Sequence, residues 1–278
     1  MAFKTIFTAL SSFETSKFAL EQAASLVQAE DAHLEVMCVG VDRSHSNYYE
    51  VGANAAILQA AIQQADTQAK EIQAQVTGWL EGSNLRWNVT TAVTTLADAG
   101  RPLSRAARFA DLCISPLPYR DHSSPEESLI LETMMLDAGC PTIVAPEGDP
   151  VGRPERIVIA WNESAEALRA VRAAIPLMRA AKEVHIAIID PPEHAPDRSD
   201  PGGALAVMLS RHDIGCDIQV MSRGGAKISE RLRRHVTETN SQMLIMGGYG
   251  HSRFREAVLG GATREMLEHT TVPVFMAH

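Results

Sequence analysis

The residues best suited to chemistry lie in one glycine-rich stretch near the end of the chain, residues 246–263. Met246 is followed by Gly247, Gly248 and Gly250, and after a nine-residue spacer by Gly260, Gly261, Ala262 and Thr263. Glycine carries no Cβ and accepts positive φ, so a backbone rich in it approaches phosphate oxygens closely. The helix expected near 262–269 opens directly after this stretch, and the free N–H groups at a helix start face an anion. Arg253, Arg255 and Arg264 add positive charge. This is the chemistry of binding an anion. Turnover needs a positioned water and stabilised transition-state charge. No evident base stands in the stretch beyond His251 and Glu256, and neither is fixed by a second identifiable residue. His251 follows Gly250 directly, where it either touches a phosphate or points to solvent.

A loop of this kind needs a strand before it and a helix after it. The apolar run 243–246 reads as a buried strand, and in an open parallel sheet ligands bind outside the carboxyl ends of strands. Two further strand ends should border the same pocket. Strand 157–162 ends in Ala160, Trp161 and Asn162, and strand 184–189 ends in Ile189, followed by Asp190. An asparagine amide can bond a ribose hydroxyl or an adenine edge. Equally, Asn162 or Ser164 can cap the helix that follows, and the two roles are compatible.

These strands belong to a plan that occurs twice. Strand 5–10 matches 157–162, and each leads through a polar turn into an alanine-rich helix, 13–29 and 164–181. Leu168, Val171, Ile175 and Met178 recur at three- and four-residue steps and predict the buried face of the second of these. Leu58, Ala61, Ala65, Ala69, Ile72, Val76 and Leu80 do the same for a long helix over 50–81. Strands 34–41 and 86–93 and helix 97–109 have counterparts in strands 184–189 and 216–222 and helix 226–239, and helix 203–213 answers the long one. The halves also end alike: 112–115 matches 243–246, and 140–145 matches 272–277, each pair separated by a helix. Each half thus reads β-α-β-α-β-α-β-α-β, an α/β doubly wound, Rossmann-like design with five parallel strands. The domains are expected at 1–147 and 154–278, joined by a polar Gly- and Pro-rich linker.

The glycine stretch resembles the universal stress protein family, whose pattern is Gly-x-x-Gly, nine residues, Gly and a small hydroxyl residue. Gly247, Gly250 and Gly260 keep that spacing; Gly261 stands where serine is usual, and Thr263 where the family often has a second hydroxyl. The resemblance extends to the element order of both halves, whereas the motif occurs only in the second. It implies an adenine-nucleotide site, with ATP, alone or with Mg2+, as cofactor, and a regulatory role in stress. Family members that bind ATP commonly place an aspartate where Asn162 stands. The first half departs further: Leu10 ends its first strand, and Pro116, Leu117, Pro118, Tyr119, Arg120, Asp121 and His122 follow Ser115 without a glycine until Gly139. Proline removes N–H donors, so that site reads as degenerate. Ser123 and Ser124 read as caps of helix 125–138 rather than nucleophiles. Lone family domains often dimerise through their last strands. The implied partnership is therefore an internal pseudo-dimer through strands 141–146 and 273–277, with a homodimer as the other arrangement.

Composition narrows the function classes. The chain has 278 residues, 45% hydrophobic and 21% charged, which is globular. Residues 1–150 carry 9 Lys and Arg against 19 Asp and Glu; residues 151–278 carry 16 against 15. An acidic chain is a poor nucleic-acid binder, because phosphate contacts dominate that affinity, and a small anion favours the second half. No run reaches the ~18 apolar residues of a membrane span, and the start of the chain lacks a basic-then-apolar leader; a cytoplasmic protein without membrane or nucleic-acid partners is expected. The four cysteines show no Cys-x-x-Cys spacing and read as reduced. The ten histidines form no metal-binding motif. Three classes remain: a nucleotide-responsive module, a ligand-free scaffold of the same fold, and a slow ATP-hydrolysing enzyme.

Overall fold

The structure is a computed structural model and describes residues 3–42, 55–95, 100–119, 123–191, 200–249 and 261–278. Packing divides it into two compact units, Phe3–Thr142 and Ile143–His278. The twice-repeated order is present: strand and helix alternate, and each repeat contributes five strands.

In the first unit the strands β1 (Thr5–Leu10), β2 (His33–Asp42), β3 (Arg86–Thr95) and β4 (Leu112–Pro116) lie in the order β3-β2-β1-β4. The pairings are parallel, with Thr5 opposite His33 and Ile6 opposite Leu112. Helix α1 (Phe13–Glu30) starts where Ser12 Oγ accepts the Thr15 N–H at 3.4 Å and ends at Asp31, in the left-handed region. Helix α2 (Ala55–Leu80) is the long one. Ala65, Ala69, Ile72, Val76 and Leu80 are buried as the period predicts, Ala61 is half-buried, and the Leu58 side chain lies outside the described residues. α2 sits so close to β2 that a methyl on Gly40 would run into the Ala65 carbonyl. α3 spans Gly100–Ala107.

Helix α4 (Pro125–Glu132) corrects two expectations. The single helix over 125–138 is instead α4 followed by a π-type turn, Thr133–Asp137, in which Ala138 N–H reaches the Thr133 carbonyl at 2.9 Å. Ser124 occupies the cap position without making a side-chain cap bond; Pro125 at the first position starts the helix, where its missing N–H costs nothing. Ser123 Oγ instead donates to the Leu117 carbonyl at 3.3 Å. β5 (Thr142–Ala145) is divided at the unit boundary.

The second unit carries β6 (Arg156–Ala160), β7 (Glu183–Ile189), β8 (Asp217–Met221), β9 (Met243–Gly247) and β10 (Val274–Ala277), in the order β10-β9-β6-β7-β8. All pairings among them are parallel. Helix α5 (Ala165–Ala180) buries Ala167, Ala170, Val171, Ala174, Leu177 and Met178. Leu168 and Ile175, expected at the centre of that face, lie half-buried on its border. Three alanines in the centre let the helix approach the sheet, so larger side chains flank the contact. α6 (Gly203–Ser210), α7 (Ile228–Glu238) and α8 (Ala262–His269) complete the repeat. Cys38, Cys113 and Cys140 are buried, Cys216 is half-buried, and all four are free thiols. Burial pushes the Cys38 thiol up to about 12. No described helix is long and apolar enough to cross a membrane, and no metal-binding cluster occurs among the described residues.

Candidate functional site

In the second unit the chain leaves β6 toward β7 and β8 on one side, and β9 and β10 lie on the other. The point where strand order reverses is thus between β6 and β9, where open α/β sheets form a crevice at the carboxyl ends. Register fixes what meets there. Ile159 pairs with Ile245, so Ala160 and Met246 are the next residues out on adjacent strands. Met246 is buried, while Ala160 is half-buried. Trp161 donates its N–H to the Ala187 carbonyl at 2.9 Å, extending β6 by one bond. Ile189, half-buried, ends β7 opposite Met221.

Asn162 is exposed, and its Oδ1 accepts the Ser164 N–H at 3.2 Å. Ser164 Oγ in turn accepts the Ala167 N–H at 3.1 Å and caps α5. Of the two capping candidates, Ser164 is the cap and Asn162 shapes the turn before it. Glu163 between them has a φ of 61°. This turn leaves the Asn162 amide nitrogen and the far side of Oδ1 available to a ligand.

Gly247 has a reason that the sequence pattern did not reveal. A Cβ built on it would lie 2.6 Å from the Ala167 nitrogen and 2.8 Å from the Glu166 carbonyl carbon. The end of β9 therefore touches the first turn of α5, and no ligand atom fits on that side. Beyond it, Gly248 N–H bonds the Ala277 carbonyl at 3.0 Å, and His278 Nδ1 lies 3.1 Å from the Gly248 carbonyl. Tyr249 has a φ of 52°, in the left-handed region. Gly250, His251, Arg253, Arg255, Glu256 and Gly260 lie outside the described residues.

The description resumes at Gly261, which occupies the cap position of α8. Among the described residues no side chain caps this helix, and the N–H groups of its first turn, Ala262 and Thr263 among them, have no partner within the helix. Ala262 and Thr263 are half-buried. Arg264 is partly committed, its Nε 2.7 Å from Glu268 Oε1. One turn further, Glu265 accepts from Lys227 at 2.6 Å and from Ser229 at 3.0 Å. Those two donors hold its carboxyl below the usual range, Lys227 contributing most.

Sequence reasoning missed Arg223. Its N–H donates to Asp190 Oδ1 at 3.0 Å and its Nε lies 3.3 Å from Oδ2, tying the end of β8 to the end of β7. Asp190, with a φ of 44°, was legible as a border residue; its partner has no motif to mark it. A polar depression of about 310 Å³, lined in part by Arg179, Lys182, Asp213 and Cys216, opens at the other end of the sheet, beside the starts of β7 and β8. It is remote from the strand ends described above.

The universal stress protein family model matches residues 154–278. That half of the chain belongs to this family. A universal stress protein from Archaeoglobus fulgidus DSM 4304 is similar in structure along nearly the whole chain. Its TM-score is 0.73 at 15% identity, covering 98% of this chain and 95% of that one. A functionally unknown protein from Pseudomonas aeruginosa PAO1 gives 0.57 at 13% identity, with 99% and 92% covered. At such identities the likeness is one of fold. No curated protein matches the chain.

Proposed function

We propose that the second universal stress protein repeat binds one adenine nucleotide, ATP being the expected form, and that the chain acts as a nucleotide-responsive regulatory module under stress. The observation that carries this is the family's Gly-x-x-Gly-x9-Gly spacing at Gly247, Gly250 and Gly260, starting at the end of β9 beside the strand-order reversal and leading to the uncapped start of α8. Gly250, His251, Arg253, Gly260, Gly261, Ala262 and Thr263 would surround the phosphates. Ala160, Trp161, Asn162, Ile189 and Met246 would border the nucleoside. Mg2+ would reach this site through the phosphates.

The test is to denature purified protein and identify any released nucleotide, then titrate stripped protein with ATP by calorimetry. One site per chain is expected; two equivalent sites, or none at millimolar ATP, would sink the reading. A ligand-free scaffold is favoured by one observation: Gly247 is already explained by its packing on α5. Turnover is expected far below the ~1 per second of slow dedicated enzymes. Phosphate release above that rate, abolished by His251→Ala or Glu256→Gln, would make the protein an enzyme instead.

A further inference from the structure

Two histidines are buried against each other in the second unit. His185 lies in the middle of β7 and His235 in the last turn of α7; they are 8% and 2% exposed. Their ring centroids are 6.2 Å apart, with the planes near perpendicular at 86°. Among the described residues, both ring nitrogens of His185 and Nε2 of His235 lack hydrogen-bond partners. Neutral rings tolerate this apolar edge-to-face contact. A charged ring there would be desolvated without a bonded partner, which is costly.

We propose that His185 and His235 form an acid-sensitive latch that holds α7 on β7 at neutral pH and releases it in mild acid. The surroundings offer only partial compensation for a charge. From β7, Glu183 Oε2 is 3.6 Å from His185 Nε2, beyond hydrogen-bond reach and on a half-exposed side chain. Asp217 on β8 is the register neighbour of His185, whereas β6 places Val158 opposite it and carries Arg156 at its start. On α7 itself, Glu238 favours a charge on His235 and Arg231 opposes it. Arg231 and Glu238 lie 3.6 Å apart, and Arg234 pairs with Glu230. α8, packed on α7, brings Glu265, taken up by Lys227 and Ser229, an Arg264–Glu268 pair, and His269.

Burial first, and His185 second, hold the His235 imidazole below its ordinary range. Unfolded imidazoles take up protons near about pH 6.5. The folded chain therefore binds fewer protons than the unfolded one below that point. Stability conferred by the neutral His235 is complete above about pH 6.5 and is lost as pH falls from there through the folded value.

The latch has a route to the crevice. The start of α7 is tied to α8 through Lys227 and Ser229, which both bond Glu265. At its end, Thr239 N–H and Oγ1 both bond the His235 carbonyl, and Ser241 N–H bonds the Val236 carbonyl, closing the turn that leads into β9. In the sequence, β9 and α8 precede and follow residues 250–260. A second consequence, weaker nucleotide binding in acid, rests on the reading given under Proposed function.

Hydrogen exchange on the intact, nucleotide-free protein tests the latch. Between about pH 7.5 and about pH 5.5, after correction for intrinsic exchange rates, α7 protection should fall by about three- to tenfold in wild type, about tenfold being the ceiling for one histidine. It should fall less than about twofold in His185→Gln/His235→Gln, whose side chains do not titrate there. Unchanged α7 protection in wild type, or an equal loss in the double variant, overturns the proposal. Should that variant not fold, the wild-type ring-proton titration decides. Protection must decline as pH falls from about 6.5 toward the midpoint of His235 protonation, and protection that begins to fall only below that midpoint overturns the latch. Nucleotide affinity over the same pH interval is a distinct arm. Absence of binding at every pH defeats the nucleotide reading and leaves the exchange result standing.

Discussion

The last strand-to-helix crossing differs sharply between the two repeats, although the strands leading into it match. In the first repeat β4 ends at Pro116, and Leu117 next to it is 6% exposed, sunk into the protein. In the second, β9 ends at Gly247, followed by Gly248 and a left-handed Tyr249. The neighbouring strand ends differ in the same sense: Leu10 is fully buried at the end of β1, whereas Asn162, beyond β6, is exposed. Charge follows suit, with the acidic excess confined to residues 1–150. One scaffold thus carries an apolar, proline-ended strand in one copy and a glycine-ended strand beside an exposed asparagine in the other. The fold sets where a ligand could sit, and a few residues at the strand ends determine whether it can.

The largest expected effect lies at Gly247, opposite Pro116 in the repeat alignment. Gly247→Val drives a branched side chain into the backbone of Glu166 and Ala167. It should destabilise the second unit by about 3 kcal/mol, the upper end of overpacking costs, since backbone cannot rotate away as a side chain can. Gly261→Ala is its control: the nearest atom to an added Cβ among the described residues is 3.9 Å away, so denaturant unfolding should shift by less than about 0.5 kcal/mol. Equal stabilities for the two variants would show that the β9–α5 approach does not set the need for glycine at 247.

Next come Gly250→Val and Gly260→Val. Each should weaken ATP binding by about 1–3 kcal/mol through lost phosphate contacts. Unlike Gly247→Val, neither should unfold the protein. Calorimetry beside a melting curve separates the two effects. Unchanged affinity in folded variants would remove the asymmetry on which the comparison of repeats rests.

Much of this contrast was legible in the sequence, for identifiable reasons. Strand and helix order followed from hydrophobic period and the repeat, and the strand ends from the Gly, Pro and Asn punctuation. Four things were not legible. The alanine face of α5 was misplaced because Leu168 and Ile175 look more like core than Ala170 and Ala174, although close packing favours the smaller residues. The π-type turn after α4 has no sequence signature, since one shifted bond at Ala138 makes it. Gly247 carried two candidate reasons for being glycine, and only coordinates reveal a helix turn 2.6 Å from its missing Cβ. Likewise Arg223 enters the frame only once β7 and β8 are side by side.

The helix starts give a smaller, symmetrical pair. Ser12 and Ser164 each cap the first helix of a repeat, with bonds of 3.4 Å and 3.1 Å. Alanine at either should cost about 1 kcal/mol, with Ser164→Ala the larger because its bond is shorter. Denaturant midpoints measured on both single variants check the order. A larger loss at Ser12 would mean that cap geometry does not rank the two.

The smallest effect is expected from Asn162→Asp, which installs the acid usual in nucleotide-binding relatives. The Oδ1 that accepts the Ser164 N–H at 3.2 Å would then carry charge, just before the start of α5. A carboxylate near a helix N-terminus gains about 0.3–1 kcal/mol at low salt, so the melting temperature should rise slightly, and less so as salt is added. Binding responds to two opposed terms. A carboxylate accepts ribose hydroxyls more strongly than an amide does, but it also repels the phosphates through solvent. Adenosine feels only the first term and ATP feels both. Asn162→Asp should therefore tighten adenosine more than ATP, and raising salt should narrow the difference. Equal changes for the two ligands at all salt concentrations would place Asn162 outside the ribose contact and leave it only its part in the turn before α5.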